Sequence, residues 1–349
     1  MNRKGRSCNL IAITGGGTLG HVEPALAVAE CLRAYGYELF YIGREDSLER
    51  QSVQSKGIEF LPIRSGKLRR YFSWQNFSDA FNVGLGFFQA RRILASRRPA
   101  ALFSKGGYVS FGPVLAARIL GIPVYSHESD STPGLATRLN KGSSRLVFCG
   151  YEQCAKALRN GVYTGNPIRQ EVLDASADAF LKQYSIRASK PILLVLGGSQ
   201  GAAGLNDAII KALDTICKRF FVVHQTGRGK MTAERKKDYL PLEFIENIGG
   251  AMKASSLCVS RSGAGTIAEL SALGVPMVLV PLSLGASRGD QIENARIQQS
   301  LHKALVIDDY SLLVQTVMSF RLEDRHQQGS NENPAGLIAR LIKEDLDEL

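Results

Sequence analysis

The six cysteines (Cys8, Cys31, Cys149, Cys154, Cys217 and Cys258) are scattered and contain no C-x-x-C pair. That spacing suggests neither a thiolate zinc site nor a disulfide framework, so a reducing, cytoplasmic compartment is expected. No apolar run approaches the ~20 residues that span a bilayer, so no membrane-crossing helix is expected. The basic start, Met1 to Ser7, is followed only by the short apolar stretch Leu10–Ile13 before glycines intervene. That is the pattern of a strand, not of a signal peptide. Metal-ligand spacing is missing as well. The D-x-D at Asp345–Asp347 lies in a charged C-terminal helix, where a solvated face accounts for it. No other His, Asp or Glu spacing suggests a bound ion, and neither a metal nor a cofactor is expected.

What is present is an ordinary globular composition, 44% hydrophobic and 21% charged over 349 residues. At roughly 150 residues per domain this length implies about two domains. The net charge of +11 is uneven. Residues 1–165 carry 22 Lys and Arg against 11 Asp and Glu, whereas residues 166–349 carry 21 of each. A basic first half points to an anionic partner there, either nucleic acid or an anionic membrane surface.

Short β-rich runs alternate with helix-length segments, and glycines punctuate the joins. Apolar runs fall at Leu10–Thr14, Glu38–Ile42, Ala101–Phe103, Pro123–Ser126 and Leu146–Cys149. A second series falls at Ile192–Leu196, Phe220–Gln225, Leu257–Ser260, Pro276–Pro281 and Ala304–Ile307. Near-continuous apolar strands between helices mean parallel sheets covered on both faces. The fold expected is α/β, with two doubly wound Rossmann-like domains facing across a cleft. The domains are placed at residues 1–168 and 169–349, with the last helix, Pro334–Leu349, able to pack back on the first.

In such sheets ligands bind beyond the carboxyl ends of the strands, where glycine loops meet helix N-termini. The first strand runs into GGGTLGHVEPALA (Gly15–Ala27), in which Gly15, Gly17 and Gly20 also fit the G-x-G-x-x-G dinucleotide spacing. Glu45, closing the second strand, is a poor ribose partner for that reading. His21 follows the loop, where an imidazole can take a proton from an incoming hydroxyl or merely cap the loop. LGGSQGAAGLN (Leu196–Asn206) and SRSGAGTIAEL (Ser260–Leu270) repeat the strand–glycine–helix pattern. Glu269, one turn into its helix, is suited to a ribose diol, or is simply an acid near a helix N-terminus. Further polar clusters stand at strand ends: SKGGYVSFGP (Ser104–Pro113), HESDSTPGLATR (His127–Arg138), GNPIR (Gly165–Arg169) and DQIENA (Asp290–Ala295). Their common position describes a site for a diphosphate-bearing ligand.

In this order and spacing, these motifs resemble the MurG family, the peptidoglycan N-acetylglucosaminyltransferases of the GT-B fold, from about residue 9 to about residue 310. The resemblance implies an inverting hexosyltransferase of cell-wall biogenesis. It would move N-acetylglucosamine from UDP-N-acetylglucosamine to the C4 hydroxyl of a muramoyl-pentapeptide on undecaprenyl diphosphate. It also implies that Thr18, Leu19 and Gly20 contact the donor, and that His21 is the general base or a diphosphate partner. By the same resemblance Asp130 lies near the sugar, and Arg169 and Ser199 meet the diphosphate and nucleotide. Ile245 would offer a main-chain contact to uracil. Ala264, Gly265, Thr266, Ile267, Ala268 and Glu269 would form the donor loop, with Glu269 on the ribose, and Gln291 would meet a sugar hydroxyl. Leu19 and Asp130 depart from the family's commoner Gly and Asn.

A lipid acceptor bears on the charge asymmetry. Lys67, Arg69, Arg70, Arg91, Arg92, Arg97 and Arg98 flank an aromatic stretch in which Phe77, Phe81, Leu85 and Phe88 share one helical face. That face is either core or an exposed membrane anchor. No base-reading module is visible, so nucleic acid is not expected, and a peripheral position on the cytoplasmic face of the membrane is. Rival readings are a UDP-sugar epimerase of the same architecture, an NAD-dependent oxidoreductase using the first loop, and a non-catalytic lipid-binding adaptor.

Overall fold

The computed structural model describes residues 7–16, 19–45, 48–66, 75–187, 189–198, 201–231, 233–283, 289–322 and 333–349. It divides into two compact units, Met1–Arg169 with Glu332–Leu349, and Gln170–Asn331.

The first unit runs β1 (Ser7–Thr14), α1 (Leu19–Ala34), β2 (Glu38–Arg44), α2 (Leu48–Ser55), β3 (Glu59–Ile63), α3 (Gln75–Arg97) and β4 (Pro99–Ser104). It continues with α4 (Phe111–Ile119), β5 (Val124–Glu128), α5 (Leu135–Asn140), β6 (Leu146–Cys149), α6 (Glu152–Lys156) and β7 (Gly161–Tyr163). The second unit runs α7 (Gln170–Asp174), α8 (Ala177–Gln183), β8 (Ile192–Leu196), α9 (Ala203–Ile216), β9 (Phe221–Gln225), β10 (Tyr239–Leu242) and α10 (Ile248–Ala254). Then come β11 (Leu257–Ser260), α11 (Ala264–Ala272), β12 (Met277–Leu279), α12 (Asp290–Ser300), β13 (Ala304–Val306) and α13 (Leu313–Ser319). The final helix, α14 (Pro334–Asp347), returns to the first unit.

Each unit holds one parallel sheet, in the order β3-β2-β1-β4-β5-β6-β7 and β10-β9-β8-β11-β12-β13. Both are Rossmann-like, as the alternation of apolar runs and helices implies. Strand order reverses between β1 and β4 in one sheet and between β8 and β11 in the other. The loops after those strands therefore border the point where such sheets bind ligands. Three strands have no counterpart among the apolar runs: β3, β7 and β10. All three are sheet edges. An edge strand needs partners on one side only, which is why Pro62 in β3 and Pro241 in β10 are tolerated.

The first sheet is covered on one face by α1 and α14 and on the other by α3 and α4. In α14 the apolar positions Ala335, Ile338, Ala339 and Ile342 recur at helical spacing, and all are fully buried. Asn333 caps the helix by accepting from the Ala335 N–H at 3.0 Å, while its own amide donates to the Ile168 carbonyl at 2.9 Å. Near the other end the Tyr125 hydroxyl donates to Asp345 at 2.5 Å, and Arg145 pairs with the same carboxylate. Burial and this hydrogen bond hold the Tyr125 phenol far above its ordinary pKa. Ile338→Ala should destabilise the first unit by about 2–5 kcal/mol, a deletion in a well-packed core, as checked by urea unfolding.

Candidate functional site

In the first unit two glycine turns lock together at the carboxyl edge of the sheet. β1 ends where the Thr14 hydroxyl donates to the Ile42 carbonyl (2.9 Å), and the Lys105 N–H donates to the Thr14 carbonyl (2.8 Å). The buried Tyr41 hydroxyl donates to the Gly15 carbonyl at 2.6 Å, and the Gly16 N–H reaches the Gly106 carbonyl at 3.3 Å. Gly107 has φ of 81°, and a Cβ there would stand 2.0 Å from the Gly16 carbonyl oxygen, so no side chain fits. On the other side the buried Glu49 carboxylate packs on Gly16, where a Cβ would fall 2.2 Å from Oε1.

The helix that follows, α1, begins at Leu19, with Gly20 exposed and His21 in its first turn. The first turn of a helix carries N–H groups without intrahelical partners, which is what an anion site uses. Thr18 lies outside the described residues, as do the side chains of Leu19 and His21.

Past β4, the end of β5 carries His127, Glu128 and, next in the turn, Asp130. The His127 ring donates through Nε2 to the Gly165 carbonyl at 3.1 Å, which brings the GNPIR segment beside β5. Glu128 is satisfied locally. It accepts from the Gly134 N–H (2.8 Å), the Thr137 hydroxyl (2.5 Å) and the Asp130 N–H (3.2 Å). The Asn166 amide holds the Ser129 carbonyl at 3.1 Å. Gly20 and Asp130 thus stand on one sheet edge, after strands separated only by β4. Arg169 is half-buried at the end of this unit's first segment.

In the second unit the loop after β8 is built the same way. Gly201 has φ of 70°, and a Cβ there would meet the Thr226 carbonyl at 2.0 Å. Behind it lies a buried polar chain. The Asn206 amide donates to that carbonyl at 2.8 Å, His224 Nε2 donates to Asn206 Oδ1 at 3.1 Å, and the Tyr239 hydroxyl donates to His224 Nδ1 at 3.0 Å. These partners fix His224 as one neutral tautomer. Gln225 ties two separate stretches together, donating to the Gly198 carbonyl (3.2 Å) and accepting from the Ile245 N–H (3.0 Å). The Ile245 N–H is thereby engaged. Ser199 and Gln200 lie outside the described residues.

Across the switch point, α11 starts at Ala264. Gly265 is exposed, Thr266, Ala268 and Glu269 are half-buried, and Ile267 is packed in the core. Gly265, Thr266 and Glu269 share one helical face. Gln291, in the first turn of α12, accepts from the Leu282 N–H at 3.2 Å. Arg261 is a residue the motif reading passed over. Its guanidinium donates to the Val280 carbonyl (3.1 Å) and the Tyr310 hydroxyl (2.6 Å), pinning the end of β11 to that of β12. Gln225, Asn206 and Glu49 were passed over in the same way. The only local signal was a polar residue closing an apolar strand, as in His224–Gln225. Among the described residues no three His, Cys, Asp or Glu side chains are grouped to hold a metal ion.

On the far side of the first sheet, α3 meets its neighbours through small residues. A Cβ on Gly86 would stand 1.9 Å from the Arg64 carbonyl, and Ala90 and Leu94 continue that buried face. Phe81 and Phe88, each 66% exposed, project from the helix beside the exposed Arg91 and Arg92. The core alternative for the aromatic face therefore fails at these two positions, which are exposed. Leu85 is half-buried, while the Phe77 side chain and residues 67–74 lie outside the described residues. No described helix is long and apolar enough to cross a membrane.

Comparison with known proteins adds the following. Residues 11–148 match the glycosyltransferase family 28 N-terminal domain, and residues 192–346 match the C-terminal domain of the same family. A relative from Clostridium botulinum (strain Loch Maree / Type A3) is named UDP-N-acetylglucosamine--N-acetylmuramyl-(pentapeptide) pyrophosphoryl-undecaprenol N-acetylglucosamine transferase. It is 41% identical over 347 residues, covering 95% of this chain and 98% of its own. A relative of the same name from Lachnospira eligens is 41% identical over 349 residues, covering 96% and 99%. Among solved structures, MurG of Acinetobacter baumannii superposes with a TM-score of 0.73 at 23% identity, covering 96% of this chain and 99% of that one.

Burial holds the His224 imidazole down from 6.5 to about 4. The folded protein takes up this proton only near pH 4, the unfolded chain already near pH 6.5. Stability is therefore whole above pH 6.5 and falls as the pH drops toward 4, by about 2–4 kcal/mol. His224→Gln should flatten that part of the profile, read from urea midpoints between pH 7 and pH 4.5.

Proposed function

The chain belongs to the family of UDP-N-acetylglucosamine–N-acetylmuramyl-(pentapeptide) pyrophosphoryl-undecaprenol N-acetylglucosamine transferases, and from that premise we propose its reaction and the residues that carry it. It is a hexosyltransferase of peptidoglycan synthesis. It moves N-acetylglucosamine from UDP-N-acetylglucosamine to the C4 hydroxyl of undecaprenyl-diphospho-muramoylpentapeptide, with inversion at the anomeric carbon. The observation that carries the assignment of roles is the pairing of crowded glycine loops with helix N-termini at both topological switch points.

UDP-N-acetylglucosamine is assigned mainly to the second unit. The Gly198–Gly201 loop and the start of α9 receive phosphate oxygens, with Ser199 as a further donor. Ile245 faces the uracil through its main chain. Because its N–H is held by Gln225, the carbonyl is the group left for the base N–H. Gln225 also holds Gly198, so base site and phosphate loop keep a fixed spacing. The segment Ala264, Gly265, Thr266, Ile267, Ala268 and Glu269 lies along the nucleotide, the Glu269 carboxylate accepting from both ribose hydroxyls. Ile267 contributes through its backbone alone. Gln291 meets a sugar hydroxyl.

The acceptor is assigned to the first unit, whose loop residues Thr18, Leu19 and Gly20 are assigned a contact to the donor and whose Asp130 is assigned to the sugar. His21 accepts or orients the proton of the attacking hydroxyl as its oxygen bonds the anomeric carbon and the bond to UDP breaks. Backbone N–H groups and Arg169 take up the charge of the departing diphosphate.

The same reading sets the protein on the cytoplasmic face of the membrane as a peripheral protein. Phe81 and Phe88 enter the interface, and Arg91 and Arg92 each contribute on the order of 1 kcal/mol on an anionic leaflet. The neutral charge balance of the second half fits a unit that does not itself meet the lipid surface.

The deciding experiment is transfer of labelled sugar from UDP-N-acetylglucosamine to a lipid-linked muramoyl acceptor by the purified protein; no transfer overturns the proposal. Glu269→Ala should raise the donor KM about tenfold or more at nearly constant kcat, whereas His21→Ala should chiefly lower kcat. Phe81→Ser with Phe88→Ser should reduce sedimentation with phosphatidylglycerol vesicles while leaving turnover on a water-soluble acceptor analogue unchanged.

A further inference from the structure

Lys105, the first residue after β4, has no part in the roles given above. It is 1% exposed, and its backbone is fixed independently of its side chain by the bond from its N–H to Thr14. An ammonium removed from water needs acceptors for three N–H groups and a charge to face. Its hydrogen-bond partner among the described residues is a neutral one, the Ser129 hydroxyl at 2.6 Å. The opposite charges in its field are Glu128 and Asp130, on either side of that serine. They resist the loss of its proton, which burial brings down to about pH 8. Glu128 is already engaged by two backbone N–H groups and the Thr137 hydroxyl. Ser129 is gripped from both sides, by Lys105 at its hydroxyl and by Asn166 at its carbonyl. The turn that presents Asp130 is therefore rigid, and it is rigid around a buried cation.

We propose that Lys105 is a positioning residue for Asp130: its ammonium anchors the Ser129 turn and supplies the countercharge that lets a carboxylate stand at the sugar-binding edge. The inference rests on the assignment of Asp130 to a sugar and extends it. Lys105 does not touch substrate; it acts through the turn. The two side chains form one electrostatic unit, so losing the cation alone leaves excess negative charge at a half-buried turn. Losing both restores the balance.

A double-mutant cycle tests this in the full-length protein, using Lys105→Met, Asp130→Asn and the pair, with kcat and KM measured for both substrates. Lys105→Met should raise one substrate's KM about tenfold or more while kcat changes less than about threefold, and adding Asp130→Asn should recover most of that loss. Losses that simply multiply, or a fall in kcat at unchanged KM, overturn the proposal. If Lys105→Met does not fold, Lys105→Gln carries the same cycle, since it keeps a donor for Ser129 without the charge. Should Asp130→Asn alone leave both KM values unchanged while still rescuing Lys105→Met, the sugar assignment fails and the coupling stands.

Discussion

The structure depends on how closely two backbones approach at the carboxyl ends of parallel strands. In the first unit the Gly16 carbonyl occupies the space where a side chain on Gly107 would stand, and in the second the Thr226 carbonyl does the same to Gly201. Such contacts exist only because both turns lack a Cβ and because Gly107 and Gly201 adopt positive φ. The reward is positional. Each glycine loop is held by its neighbour's backbone, so the helix N-terminus that follows starts at a defined place. In the proposed reaction the charge of the diphosphate would meet dipoles already oriented, with little reorganisation when the leaving group departs.

Around these loops the protein spends buried polar groups on positioning. Tyr41, Asn206, His224 and Gln225 reach backbone groups of the loops, or side chains that do so, as does the half-buried Arg261, and Glu49 packs on Gly16. The His224 chain is the clearest case, since a neutral ring linking Tyr239 to Asn206 sits behind the very carbonyl that excludes a side chain from Gly201. Satisfied in full, such a chain is stiff; a missing partner would leave a desolvated donor or acceptor.

The parts of this arrangement legible in the sequence were those encoded locally. Apolar runs of β-formers and glycines at their ends announced the central strands and the loops, and the motif order pointed to the family. The edge strands β3, β7 and β10 stayed hidden because half-paired strands can be short and can carry Pro62 or Pro241. The aromatic face of α3 was ambiguous because helical spacing marks a face without saying what it meets. What resolves it is Gly86, whose lack of a side chain lets the opposite face take the core and leaves Phe81 and Phe88 outside. The positioning residues were hidden for another reason. Gln225 joins Gly198 to Ile245, and Lys105 reaches Ser129, across spans of chain that no local pattern connects. Ile267 illustrates the converse: it lies inside the segment proposed for the nucleotide, yet its side chain belongs to the core.

The return of α14 to the first unit has a consequence for biosynthesis. The second unit is an insertion in the first, so the ribosome releases the residues that complete the first core only after the whole of the second unit. Until then one face of the first sheet lacks part of its cover, with the apolar positions that α14 buries beside α1 open to a chaperone. A chain that stopped between the second unit and α14 would hold a second unit able to mature beside a first that lacks part of its core.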